Sequence, residues 1–295
     1  MAMRKVVIAG GTGFIGTYIA TRFKENGYRV LIVSRASEHV SWNPIELNEA
    51  LEGAELVVNL AGKSINCPHN EVNKRAIVES RINTTLWLGN AVLACEDPPK
   101  LWINASATGI YKPSVEHSMT EDETELGNDF LAEVVTQWEK TFFGFHLPKT
   151  RQVALRTSVV LGKNGGALRP LVLLSRFGLG GMQASGEQIF SWIHVEDYFR
   201  ILLFLLENEL LSKVINCCSP NPISNKRFMQ FIRKTLHMPF GIPAPEFVIR
   251  LGSKLIGMEP ELILNSVNVL PKRLLEAGFQ FTYPGTEKAL EDLLK

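Results

Sequence analysis

Apolar and polar positions fall in blocks along this chain, and the first block sets the pattern. Val6-Val7-Ile8-Ala9 is an unbroken apolar run that opens into Gly10, Gly11, Gly13 and Gly16, after which Ile15, Ile19 and Phe23 recur at helical spacing as far as Asn26-Gly27. Strands buried on both faces read as continuous apolar runs, and amphipathic helices repeat apolar residues every three to four positions. The spacing predicts a strand, a glycine turn and a helix. Further strands are predicted over 29–33, 56–60 and 101–105, with a fifth running from Val153 through Arg156 to Gly162. Between them, Val78, Ile82, Leu86 and Leu93 mark the apolar face of a long crossover helix, 130–143 reads as another helix, and 42–53 as a short connection.

Strand and helix alternating at this interval imply right-handed crossovers and a parallel sheet. The fold class expected is α/β, a Rossmann-type doubly wound parallel sheet with a smaller, mostly helical C-terminal cap. Residues 1–165 make the dinucleotide-binding part, completed by about 190–218. Past Gly162, glycine-rich loops surround a short apolar helix over 168–177, and prolines at 220, 222, 239, 243, 245 and 260 separate short helices. The segments 166–189 and 219–295 are therefore assigned to the cap.

Composition removes several function classes. The 31 lysines and arginines are scattered and balanced by 30 acidic residues, which gives no reason to expect nucleic acid or an anionic membrane as partner. No segment reaches the roughly 18 uncharged apolar residues of a membrane span. Cys67, Cys95, Cys217 and Cys218 form no CxxC or Cys/His spacing typical of a metal site, so a reduced, cytoplasmic protein without structural metal is expected. The oligomeric state stays open.

Candidate chemistry begins at the glycines. Gly10, Gly13 and Gly16 have GxxGxxG spacing between a strand and a helix, where they serve a tight turn, close approach of a pyrophosphate and close helix packing. The helix N-terminus behind them supplies free N–H groups for phosphate. About 20 residues on, where an acidic residue accepts from the ribose of NAD, this chain has Ser34-Arg35. A guanidinium there suits a 2′-phosphate, so NADP(H) is expected over NAD(H). Cofactor contacts are assigned to Gly10, Thr12, Gly13, Phe14, Ile15, Gly16, Ser34, Arg35 and the small Ala61.

Several stretches carry a family likeness: AGGTGFIG, VNLAG over 58–62, ESRINTT over 79–85, NASATGIY, ALRTSVVLG, FSWIHVEDY over 190–198 and the tail LPKRLLEAGFQFTYP. Together they resemble extended short-chain dehydrogenase/reductases, and more narrowly an atypical NAD-dependent epimerase/dehydratase-like subfamily with an uncharacterised C-terminal domain. The likeness covers nearly the whole chain. It implies cofactor contacts at Asn59, Leu60, Arg81 and Val159, and a small-molecule substrate such as a nucleotide sugar or another carbonyl compound. It also puts Ser106 and Thr108 where the family's catalytic hydroxyl sits, with Tyr111 one residue later than in the usual pattern.

One departure qualifies that expectation. The family's acid/base unit is YxxxK, in which the lysine lowers the tyrosine pKa. Here the tyrosines at 18, 28, 111, 198 and 283 are followed four residues on by Arg22, Ile32, Val115, Leu202 and Glu287, and Leu131 and Val135 stand in the tyrosine and lysine places. Ser106, Thr108 and Tyr111 remain as catalytic candidates, each also able to cap a turn. His194 and Asp197 read as a structural histidine and a helix-start residue. Two readings follow: an NADP(H)-dependent reductase or epimerase-like enzyme with a nonstandard donor, or a catalytically silent NADP(H)-binding sensor or interaction module.

Overall fold

The computed structural model describes residues 3–256 and 259–295. In chain order come β1 (Lys5–Ala9), α1 (Phe14–Glu25), β2 (Arg29–Val33), α2 (Pro44–Leu51), β3 (Leu56–Asn59), α3 (Glu71–Leu93) and β4 (Leu101–Ala107). A single 3-10 turn, Thr108–Ile110, leads to β5 (Ser114–Met119), α4 (Phe130–Phe143), β6 (Arg151–Thr157), β7 (Val159–Gly162), β8 (Gly165–Gly166) and α5 (Leu168–Arg176). Then follow β9 (Ile189–Phe190), β10 (Trp192–His194), α6 (Val195–Glu207), β11 (Lys213–Cys217), β12 (Ile223–Ser224), α7 (Asn225–Thr235) and α8 (Glu246–Ile256). The chain closes with α9 (Glu261–Leu264), β13 (Val267–Val269), α10 (Lys272–Glu276) and α11 (Thr286–Leu294).

Six strands pair in parallel in the order β11-β6-β4-β3-β1-β2. The chain moves outward from β1 to β2 and returns across β1 to β3, so the order reverses at the β1/β3 boundary, the place where open α/β sheets bind ligands. Outside β2 a further strand is reduced to one bridge, Val33 to Val40. Both faces of the sheet are covered. Val6 and Ile8 pack with Ile19 and Phe23 of α1 and with Phe199 and Leu202 of α6, whereas Val7 and Ala9 pack with Leu47, Leu51, Leu88, Val92 and Phe142. Alternate side chains of a strand point to opposite faces, which is why β1 is apolar at every position.

Four features differ from the sequence expectation. Residues 42–53 are not a plain connection: Asn43 caps α2 by accepting from the Ile45 N–H, and Pro44 occupies its first turn without losing a helical bond. The buried face of α3 is Ile77, Thr84, Thr85, Leu88 and Val92, while Leu86 and Leu93 are exposed, because Thr84 and Thr85 face the sheet. The long fifth strand breaks at Ser158, so that β6 belongs to the central sheet and β7 to a second, three-stranded sheet, β10-β7-β8. The C-terminal cap is mostly helical, as expected, but it also carries a four-stranded sheet, β12-β9-β13-β5, to which β5 comes from within 1–165. Among the described residues no helix is long and apolar enough to cross a membrane.

The last segments are fastened to α6. Asp197, fully buried in its first turn, accepts from the Thr282 and Tyr283 N–H groups, both at 2.8 Å, and lies 3.3 Å from Arg200 Nη1. Removing that carboxylate takes away the shared acceptor of two partly exposed backbone donors. Asp197→Ala should therefore lose about 1–3 kcal/mol in all, read as a lower urea midpoint by circular dichroism. A variant as stable as the parent chain would show that the tail is held by other contacts.

Candidate functional site

The glycine loop lies at the β1/β3 switch point, and the backbone explains each glycine separately. Gly10 has φ +77°, and a Cβ there would fall 2.8 Å from Ala61 N and 2.9 Å from the Leu60 carbonyl carbon. Its N–H donates to Val33 O at 2.9 Å, and the Leu60 N–H donates to Ala9 O at 2.8 Å, so the ends of β1, β2 and β3 are knitted together. A Cβ on Gly16 would fall 2.6 Å from Gly10 O, so only glycine lets α1 lie this close against the turn. Gly13 differs: its Cβ would meet only Gly10 O, at 3.5 Å. Gly13 is exposed, so its face is open to a pyrophosphate directly at the N-terminus of α1, where it supplies no side-chain cap. Thr12 and Phe14 flank it; Ile15 is half-buried, and the Phe14 ring fills the hollow bounded by Gly162, Gly165 and Gly166.

After β2, Ser34 turns inward and Arg35 outward. Ser34 Oγ accepts from the Ala36 N–H at 3.0 Å and bonds His39 Nδ1 at 2.9 Å, so its hydroxyl shapes the turn. Arg35 is exposed and has no ion pair or hydrogen bond among the described residues. Asn59 is fully buried, and its amide braces the strand ends: Oδ1 accepts from Ala61 N–H at 3.1 Å and Nδ2 donates to Asn104 Oδ1 at 2.8 Å. The Asn59 side chain is therefore spent within the protein, not offered to a ligand.

At the carboxyl ends of β4, β6 and β11 lies a buried polar network. Ser106 Oγ donates to Glu139 Oε1 at 2.6 Å, and Arg156 holds the same carboxylate through Nε and Nη2, both at 2.8 Å. Arg156 Nη1 also donates to Tyr111 Oη at 2.9 Å, and Tyr111 donates onward to Asn216 Oδ1 at 2.8 Å. Burial opposes the Arg156 charge, but the Glu139 bonds outweigh it and raise the guanidinium pKa. Tyr111 is only 2% exposed, and burial pushes its pKa up. The expectation that Tyr111 presents a phenol to substrate is corrected accordingly. Thr108 is buried at the start of the 3-10 turn, and its hydroxyl has no partner among the described residues.

Arg81 reaches this neighbourhood from α3. Its Nη1 donates to Lys63 O and Ile77 O, and its guanidinium lies 5.2 Å from the Trp138 ring, next to Glu139 in sequence. No carboxylate pairs with it among the described residues, and burial pushes its pKa down to about 10. Trp138 Nε1 donates to Thr85 Oγ1 at 2.9 Å. Val135 is buried beside Tyr111 and Leu131 is half-buried, so this stretch of α4 presents apolar side chains. Val159 begins β7, immediately past the strand break.

His194 and Asp197 lie elsewhere. His194 Nδ1 accepts from the Glu196 N–H at 3.1 Å and caps α6, its ring stacks on Tyr283 at 3.9 Å, and Nε2 lies 3.3 Å from Asp292 Oδ2. Burial lowers its pKa against the pull of Asp292 and Asp197. Both residues are structural here. The residues that sequence reasoning missed are Arg156 and Asn216, together with the bonding role of Glu139. One signal was available: a charged residue inside the apolar run ALR needs a buried partner.

The strand order, the switch-point glycine loop and the polar strand ends define a dinucleotide-binding protein of the Rossmann type. The NAD dependent epimerase/dehydratase family model matches residues 6–133, and a domain of unknown function, DUF1731, matches 244–293. The chain is 36% identical to the epimerase family protein SDR39U1 of Mus musculus over 98% of this chain and 99% of the relative. It is also 36% identical to the epimerase family protein YfhF of Bacillus subtilis, over 98% of this chain and 97% of that one. The crystal structure of human SDR39U1 (isoform 2) with NADPH superposes with a TM-score of 0.89 at 34% identity, covering 98% of both chains. The chain belongs to the NAD dependent epimerase/dehydratase family.

The two outer glycines and the middle one should respond differently to substitution. Gly10→Ala should destabilise the fold, because it adds a left-handed strain and a clash with the Leu60-Ala61 backbone. Gly13→Val should leave the melting temperature nearly unchanged while abolishing dinucleotide binding. Normal binding by a folded Gly13→Val protein would move the phosphate site away from this loop.

Proposed function

We propose that this chain is an NADP(H)-dependent oxidoreductase or epimerase-like enzyme acting on a carbonyl or alcohol carbon of a small molecule. The open space over Gly13 at the α1 N-terminus is the observation that carries the dinucleotide part. The unpaired Arg35 supports NADP(H) over NAD(H), and the NADPH bound to the human relative is consistent with this. Gly10, Thr12, Gly13, Phe14, Ile15 and Gly16 would hold the pyrophosphate, Arg35 the 2′-phosphate, and Leu60, Ala61 and Val159 would pack along the cofactor. When bound, the nicotinamide supplies hydride chemistry. The four cysteines are unpaired, which supports a reducing, cytoplasmic setting.

The chain's own proton handling rests on two hydroxyls. Thr108 is free to donate a hydrogen bond to a substrate oxygen. Ser106 is bonded to the Glu139 carboxylate, so a proton accepted at Ser106 Oγ can pass to Glu139 as the serine's own proton moves. Arg156 keeps that carboxylate in place. Arg81 supplies a partly buried positive charge near Gly62, in a protein lacking the family lysine. A second reading, cofactor binding without turnover, is favoured by the internal bonds of Ser106 and Tyr111 and by the apolar Leu131/Val135 face.

Cofactor choice is tested by titrating NADPH and NADH. NADPH should bind tighter, and Arg35→Ala should weaken it about ten- to a hundredfold, the range for a lost charged hydrogen bond. Equal affinity of the parent chain for both would refute the assignment.

Chemistry is tested by NADPH oxidation with a panel of carbonyl compounds and by an assay of UDP-galactose interconversion. Little sugar interconversion is expected without a tyrosine–lysine pair. Any carbonyl turnover should fall about 10²–10⁴-fold in Ser106→Ala or Thr108→Ala and less in Tyr111→Phe. No turnover at all, with NADPH bound tightly, selects the second reading.

A further inference from the structure

We propose that the cavity between the turn after β7, α5 and the end of α11 is a second binding site, for an organic phosphate monoester with a small apolar body. The cavity has a volume of about 380 Å³, within the range of small-molecule sites. Three cations face it: Lys163 from the turn, and Arg169 and Arg176 from α5. Arg169 and Arg176 are seven residues apart, two helical turns, and so lie on one side of the helix with Val172 between them.

Among the described residues, none of the three forms an ion pair or a hydrogen bond to protein, and no carboxylate lines the cavity with them. Positive charges gathered around one cavity repel one another until an anion enters. A monoester phosphate carries nearly two negative charges at neutral pH and accepts bidentate bonds from guanidinium groups, a closer match to three cations than a single carboxylate.

The floor is apolar. Leu168 and Leu293 are almost fully buried, and Val172 and Leu294 complete the lining. A ligand there needs both a phosphate for the rim and a hydrocarbon or aromatic part for the floor. None of the loop residues 10–16 and none of the strand-end residues 59–62 or 106–108 lines it, although Gly162 on its wall packs against Phe14 of the loop.

Phenyl phosphate is the probe, measured by calorimetry on the full chain in low-salt buffer free of phosphate, with and without saturating NADPH. Saturable binding is expected in both conditions, tighter than for inorganic phosphate. The double variant Arg169→Ala/Arg176→Ala should weaken it at least about tenfold while leaving the NADPH affinity unchanged. Val172→Trp, which fills the cavity without altering charge, should weaken it as well. These exposed or half-buried positions tolerate replacement, and unchanged melting temperatures would verify the fold. Absence of saturable binding, undiminished binding by either variant, or displacement of phenyl phosphate by NADPH would each overturn the proposal.

Discussion

The ion pair between Arg156 and Glu139 is the contact on which the polar strand ends depend. Arg156 comes from the end of β6 and Glu139 from α4, and their joined charges also hold Ser106 of β4 and Tyr111 beyond it. Both side chains are nearly buried, at 7% and 11% exposure. A buried pair of this kind contributes little net stability relative to an apolar replacement of both members, yet removing one member leaves a stranded charge costing about 3–5 kcal/mol. The pair therefore fixes geometry more than it adds stability. It fixes the position of one serine hydroxyl relative to one carboxylate, and it places a tyrosine ring where an arginine stacks 5.0 Å away.

Much of the fold was legible because β1, β3, β4 and β6 have apolar stretches on both faces, and because Gly10 and Gly16 mark the turn at positions where a side chain would clash with backbone. The same reading failed where local pattern and tertiary position diverge. α3 buries Thr84 and Thr85 against the sheet and leaves Leu86 exposed, so its apolar periodicity pointed to the wrong face. The break at Ser158 falls in the polar triplet Arg156-Thr157-Ser158, between two apolar runs that read as one strand. β5 and β13 pair across 150 residues of sequence, and short strands of that kind leave no alternation to read.

The candidate site divides in the same way. Phosphate-loop glycines are legible because their reasons are local, being backbone conformation and close approach. The roles of Ser106, Tyr111 and Asn59 depend on what lies across the strand ends, and only coordinates supply that. Tyr111 looked available as a phenol in sequence, and Arg156 and Asn216 take up its bonding capacity. Family membership does not supply an acid/base pair here, since no tyrosine of the chain is followed four residues on by a lysine.

Ser158 is the single residue between β6 and β7. Both its N–H and its Oγ donate to Cys217 O, each at 3.1 Å, so the point where the chain leaves one sheet for another is clamped twice. Val159 and the wall that continues from it to Gly162 are thereby tied to the carboxyl end of β11, so that the two sheets share one braced corner.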